Sequence, residues 1–239
     1  MYTPTKAIVL RSIRYSEADL IAKCYTASDG LKSYMLKGVL KSKKGRVKAA
    51  MFQPFTLLEI IARHKNTGRL EYIKEAKLTA INPSIRSEMQ KTSMAIFLSE
   101  VIQNAVQEEE KNAALFHFLE TSITWLETNT DIANFHLFFL IKLTKYLGIY
   151  PQYQNERELF FNLRQGYFEL DETDNYSIGG QNANLLKTLL QLKAEELTSL
   201  KLNREIRQKF LLFILSYYQI QLQGFRQPKS LEVLNQLFV

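Results

Sequence analysis

Leu20-Ile-Ala-Lys-Cys-Tyr-Thr26-Ala-Ser-Asp-Gly30-Leu-Lys-Ser-Tyr-Met-Leu-Lys37 is the segment on which the fold turns. Two short runs of β-formers flank Ser28-Asp29-Gly30, a turn tripeptide whose glycine accepts positive φ, so residues 20–26 and 31–37 read as paired strands. Upstream, residues 5–15 carry Ala7, Ile8, Val9, Leu10 and Ile13 and end at Ser16-Glu17-Ala18-Asp19. Downstream, after a long polar excursion, Phe55-Thr-Leu-Leu-Glu-Ile-Ile-Ala-Arg63 and residues 70–79 supply two more runs around the turn His64-Lys65-Asn66-Thr67-Gly68. Five short strands joined in this way predict a small closed barrel. The five-stranded OB-fold is the commonest such module that binds oligonucleotides. An SH3-like barrel has the same pattern at this level.

Past Pro83 the apolar period changes from two to three and four. Residues 85–107 place Met94, Phe97, Leu98, Val101, Ile102 and Ala105 on one helical face, and residues 112–127 repeat the pattern with Leu115, Phe118, Leu119, Ile123 and Leu126. A third helix is expected from Asp131 or Asn134 to a C′ glycine at Gly148, stopped by Pro151. Residues 159–170 read as a short hairpin and Ser177-Ile-Gly-Gly as a loop. Asn182 or Asn184 is expected to cap a helix to residue 192, Asn203 one to residue 223, and a last helix follows Pro228. The fold class is therefore α+β: a five-stranded barrel domain over residues 1–80, then an all-helical domain over 81–239 with a short β-hairpin insertion.

The charge divides along the same line. Residues 1–80 hold 16 Lys and Arg against 6 Asp and Glu, a balance of +10, while the rest hold 15 against 18. Such concentration marks a surface for a polyanion, most often nucleic acid. The densest part is residues 37–48, with Lys37, Lys41, Lys43, Lys44, Arg46 and Lys48 and no acid. These six are the expected phosphate contacts, with Arg14, Lys32, Arg63, Lys65 and Arg69 secondary; Lys74 and Lys77 are read as a solvated face. Seven aromatics accompany them: Tyr2, Tyr15, Tyr25, Tyr34, Phe52, Phe55 and Tyr72. Bases stacked on such rings gain about 1–3 kcal/mol each, and Tyr15 and Tyr34 are the favoured platforms because they lie beside cations. In the helical part, Arg204, Arg207 and Lys209 border Phe210, Leu211 and Phe213, an edge suited to an acidic peptide tail.

Other chemistries find little support. No apolar run approaches the roughly 20 residues of a bilayer span, and Met-Tyr-Thr-Pro-Thr-Lys lacks a signal peptide's apolar core. The chain reads as a soluble, cytoplasmic protein without a membrane partner. One cysteine, Cys24, permits neither an intrachain disulfide nor a cysteine zinc site and is expected to be a buried structural thiol. There is no phosphate-cradling glycine motif. His64, His117 and His136 stand apart in sequence, and Asp171-Glu172-Thr173-Asp174 lacks the glycine of a calcium loop. The reading is a non-enzymatic protein with no catalytic residues, no metal and no cofactor.

Several segments together resemble one family. Lys6-Ala-Ile-Val-Leu-Arg11, Tyr15-Ser-Glu17-Ala-Asp19-Leu, Thr26-Ala-Ser-Asp-Gly30, Lys37-Gly38 and Gln53-Pro54-Phe55 are similar to the bacterial recombination mediator RecO. So are residues 70–76 as closing strand, Phe138-Phe-Leu-Ile-Lys-Leu-Thr-Lys-Tyr-Leu-Gly148-Ile-Tyr-Pro151, and Phe161-Asn-Leu-Arg-Gln-Gly166-Tyr-Phe. The resemblance implies an N-terminal OB-fold, a helical C-terminal domain, and binding and annealing of single- and double-stranded DNA. It further implies action near the nucleoid with RecR, often RecF, and the C-terminal tail of single-stranded-DNA-binding protein, to load the RecA recombinase. Many members carry a four-cysteine zinc site after the Leu-Gly-x-x-Pro stretch. Here Gln152-Tyr-Gln-Asn-Glu-Arg157 has no cysteine, so residues 150–180 are expected to be a degenerate zinc-finger-like segment held by Tyr153, Phe160 and Tyr167. From the residues alone, an RNA-binding barrel protein and a protein-interaction scaffold remain alternatives.

Overall fold

The computed structural model describes residues 2–42, 46–65, 69–80, 82–106 and 110–238. They form two compact units, residues 1–128 and 129–239. In the first, β1 (Thr3–Arg14), β2 (Leu20–Thr26), β3 (Gly30–Leu36), β4 (Leu57–Arg63) and β5 (Glu71–Leu78) close a barrel in the order β1-β2-β3-β5-β4. All pairs are antiparallel except β3–β5, where Tyr34 meets Glu71 and Met35 meets Tyr72 in parallel. A parallel pair needs a long crossover, which residues 37–56 supply before the β4–β5 hairpin returns. That crossover gives the OB-fold order and removes the SH3-like alternative, whose neighbouring strands are antiparallel.

Alternation builds the core. Ala7 and Val9 of β1, Ala22 and Cys24 of β2, Tyr34 and Leu36 of β3, and Leu58, Ile60 and Ala62 of β4 fill the interior. Burial pushes the Cys24 thiol up to about 12, which makes it a packing group and a poor nucleophile. Ile8 and Leu10 are buried as well, because the helix of residues 89–105 packs against β1. Leu10 is the extra residue of a bulge between Val9 and Arg11. The crossover ends in a turn closed by the Thr56 N–H on the Gln53 carbonyl at 3.2 Å, with Pro54 second and Phe55 third. Phe55 has φ 62, the left-handed region that a type II turn demands at that position. Its ring is fully buried, and that burial offsets the roughly 1–2 kcal/mol of backbone strain.

The helix expected over 85–107 is two helices, α1 (Pro83–Ser87) and α2 (Met89–Ala105), separated by Glu88 in extended conformation. The break is fixed from α3 (Ala113–Thr128), whose Glu127 carboxylate accepts the Ser84 and Ile85 N–H groups at 3.0 Å each. Lys91, buried, donates to Ser84 Oγ at 2.9 Å and to the Glu127 carbonyl at 3.0 Å.

The second unit is centred on α4 (Phe135–Thr144), buried along almost all its length. A 3-10 turn, Lys145–Leu147, and Gly148 at φ 72 end it as the C′ glycine reading anticipates. His136 is a packed core residue near the Phe238 ring at 6.0 Å. A small sheet follows, β6 (Phe160–Asn162) with β7 (Tyr167–Glu169) and β8 (Ser177–Ile178), so the expected Ser177 loop is in fact a third strand paired to β6. Helices α5 (Gly180–Gln191), α6 (Arg204–Gln221) and α7 (Leu231–Leu237) complete the unit, and α5 begins before either expected asparagine cap. The Asn203 side chain caps α6 by accepting the Ile206 N–H at 2.9 Å.

Candidate nucleic-acid interface

The crossover from Lys37 is pinned at its start to the β1–β2 turn. Asp19 Oδ1 accepts the Gly38 N–H at 2.7 Å, and the Leu40 N–H donates to the Ala18 carbonyl at 3.0 Å. The Gly38 hydrogen bond, then that of Ser16, hold the Asp19 carboxyl below its usual range, helped by Lys37 and Lys41. Val39 is buried, and Val47, Ala49 and Met51 pack against the barrel core. In its described parts the basic segment therefore lays Val39, Val47, Ala49, Met51 and Phe52 on the barrel and leaves Lys37, Lys41, Arg46 and Lys48 exposed, with Leu40 exposed among them. Lys41 reaches Glu17 at 3.1 Å and Arg46 reaches Glu75 at 2.5 Å. Exposed pairs like these are worth about 0–1 kcal/mol and yield readily to phosphate. Arg14 holds the same turn through the Ser16 and Glu17 carbonyls at 3.1 and 3.4 Å.

A second group gathers around the β4–β5 turn. Tyr2, Arg63, Lys65, Arg69, Leu70, Glu71 and Tyr72 line a groove of about 660 Å³. Lys37 stands 5.4 Å from the Tyr72 ring centre and Lys74 5.7 Å from that of Tyr2, so each exposed ring carries a cation over its face. At the end of β4, His64 is held by two partners of the barrel. His64 Nδ1 lies 2.6 Å from Asp29 Oδ2, and His64 Nε2 lies 2.7 Å from the Tyr34 hydroxyl. With its proton on Nδ1 the imidazole donates to Asp29 and accepts from Tyr34. The Lys65 N–H donates to Glu71 at 2.7 Å.

The expected contacts thus fall into place unevenly. Lys37, Lys41, Arg46 and Lys48 are exposed along the crossover, Lys41 and Arg14 both reach Glu17, and Arg63, Lys65 and Arg69 line the groove, where Lys37 lies over the Tyr72 ring. Lys43 and Lys44 lie outside the described residues. Two expectations are corrected: Lys32 is buried in β3, and Tyr34 is 0% exposed and committed to His64, so neither presents itself to a strand. Burial drives the Tyr34 phenol well above its ordinary range. Tyr15, at 63% exposure, remains accessible. The sequence did not single out Tyr2 and Tyr72, whose exposed rings lie beside Lys74 and Lys37. The signal was there, since Tyr72 and Lys74 stand two apart and share a strand face.

In the second unit the three expected partner cations differ. Arg207 is half-buried and donates to Asn134 Oδ1, the Leu202 carbonyl and the Phe238 carbonyl at 3.1, 3.0 and 3.3 Å, so it braces the fold. Arg204 donates to the Asn235 carbonyl at 3.3 Å, and Lys209 pairs with Glu205 at 2.7 Å on the exposed face.

Residues 1–82 match the family Recombination protein O N terminal, and residues 86–232 match Recombination protein O C terminal. The chain belongs to the RecO family. It is 48% identical over 238 residues to a protein of Christiangramia forsetii, 44% over 238 residues to one of Flavobacterium psychrophilum and 35% over 242 residues to one of Bacteroides fragilis, each named DNA repair protein RecO and each matched across the whole of both chains. The residues of this RecO-family chain do not fit the zinc site many members carry. Among the described residues no group of three or more His, Cys, Asp or Glu is placed to hold a metal. Instead Phe161 packs on Phe168, Phe213 and Tyr217 with ring centres 5.0, 6.1 and 5.2 Å apart. Tyr153 meets Phe168 edge-on, as expected of a packing residue, and Phe160 lies against Gly179, but Tyr167 is exposed. The Lys187 ammonium donates to the Glu156 and Glu158 carbonyls while lying 5.1 Å from the Phe168 ring centre. No helix among the described residues is long and apolar enough to cross a membrane.

Proposed function

We propose that this chain is a DNA-binding recombination mediator in DNA repair, whose barrel binds single and double strands and anneals complementary ones. The observation that carries the reading is the basic crossover fastened over an OB barrel, with Val39, Val47 and Met51 packed on the core and its described cations outward. Annealing brings two polyanions together, so a bank of exposed cations lowers the electrostatic barrier without any bond being made or broken. Family membership supports the setting. On this reading the chain helps load a recombinase onto strands covered by single-stranded-DNA-binding protein, in company with RecR and, in some settings, RecF. The helical unit is the proposed partner platform, with Arg204 and Lys209 as its more accessible cations. The site residues proposed for DNA are Lys37, Lys41, Arg46, Lys48, Arg14, Arg63, Lys65 and Arg69, with Lys43 and Lys44 joining them on sequence grounds.

Fluorescence anisotropy with single- and double-stranded oligonucleotides across a salt series tests the reading, beside the annealing rate of complementary strands. The expected result is affinity for both forms that falls steeply with salt, and annealing faster than the spontaneous rate. No binding to either form at low salt refutes it. A matched RNA strand separates the alternative, since preference for RNA requires contact with the 2′-hydroxyl.

A further inference from the structure

The two basic regions differ in what accompanies the cations. The crossover presents charge with aliphatic anchors, whereas the groove presents charge with exposed rings. Four of the barrel's seven aromatics, Tyr25, Tyr34, Phe52 and Phe55, are at most 1% exposed; Tyr15, a single ring at the β1–β2 turn, is 63% exposed, and in the groove Tyr72 is 46% and Tyr2 48% exposed. Register places these two on one row. Arg63 pairs with Tyr72 across β4–β5, the β1–β4 pairing ends at Thr3 and Ala62, and continuing that register by one residue sets Tyr2 opposite Arg63. Adjacent strands lie about 4.8 Å apart, so the row ring–guanidinium–ring spans roughly 10 Å of backbone. All three residues line the same groove.

We propose that this groove is a site for single-stranded DNA in which Tyr2 and Tyr72 stack bases on either side of a phosphate held by Arg63, with Lys65 and Arg69 following the backbone. The proposal rests on the DNA-binding reading above and adds strand-form selectivity to it. In a duplex the base faces are already stacked on one another, so the rings gain nothing there. The crossover cations meet phosphates of either form. The groove is then what distinguishes an open strand from a closed one, a distinction an annealing protein needs in order to release its product.

Anisotropy titrations of the full chain with oligo(dT) and with a duplex of matched length, at several salt concentrations, test this. Tyr2→Ala/Tyr72→Ala is expected to weaken single-strand binding by at least fivefold per ring, leaving duplex affinity within twofold. Its salt slope stays unchanged, because no cation is lost. Tyr2→Phe/Tyr72→Phe keeps the rings and is expected to retain single-strand affinity. Independently, Tyr72→Trp places a fluorophore in the groove whose emission is expected to be quenched by oligo(dT) and not by the duplex. Undiminished oligo(dT) affinity in the alanine variant, an equal loss on both forms, or the absence of quenching overturns the proposal. Wild-type protein that binds neither form removes the underlying DNA reading instead, so the two failures are distinguishable.

Discussion

Lys41 and Arg46 of the barrel and four cations of the helices are used in opposite ways. On the barrel, Lys41 and Arg46 are exposed and pair with the side-chain carboxylates of Glu17 and Glu75, and Lys48, Lys65 and Arg69 are exposed too. In the helices, Lys91, Lys142, Lys187 and Arg207 donate to backbone carbonyls: Lys91 to Glu127, Lys142 to Leu190, Lys187 to Glu156 and Glu158, and Arg207 to Leu202 and Phe238. A buried ammonium that leaves its acceptor leaves an unsatisfied carbonyl behind, whereas an exposed one exchanges one anion for another at little cost. The same residue type is therefore a staple in one place and a proposed phosphate contact in the other, and the distinction lies in burial and acceptor type.

The largest effect expected from breaking this contrast is on stability, at a staple. Lys91→Met keeps the aliphatic stem but removes the donors to Ser84 and Glu127, at an expected cost of about 3 kcal/mol, read from the urea midpoint. Because Lys91 touches no proposed DNA contact, the salt slope of DNA binding should not change in the variant that remains folded. A slope that moves with it would dissolve the division.

Next in size is a pH effect in the helical unit. Burial, with the Arg207 charge second, lowers the His136 imidazole to about 3. Unfolded, it titrates near 6.5. Between those values the unfolded chain binds more protons than the folded one, so stability falls as pH drops below about 6.5 and continues to fall towards 3. Between pH 7 and pH 5 the expected loss is about 2 kcal/mol, and His136→Phe should remove most of it. Equal midpoints at the two pH values in the parent protein would contradict the burial argument.

Much of this contrast could be read in advance, and the unread part has a common cause. The five strands showed themselves through alternation and turn chemistry, and Gly148, Asn203 and Pro228 marked helix ends, because these signals are local. The parallel β3–β5 pairing did not show, since it joins residues 37 apart. The break at Glu88 escaped because Glu127, on another helix, makes it. Ser177–Ile178 was too short to signal a strand. For the site, charge pointed to the crossover, whose described cations are exposed, yet alternation names two faces without saying which is inward. Tyr34 was thus placed outside, though His64 and Asp29 hold it inside, and Tyr72 with Lys74 was passed over.

The smallest effect on stability belongs to the crossover. Lys41→Ala/Arg46→Ala/Lys48→Ala is expected to shift the urea midpoint by less than about 0.5 kcal/mol in free-energy terms. The salt dependence of its DNA affinity tests the central claim most directly. Three lost phosphate contacts should shallow the slope of log affinity against log salt by about 2 for a single strand and nearly 3 for a duplex. A slope unchanged from wild type in this folded variant would show that the basic crossover does not meet the phosphates.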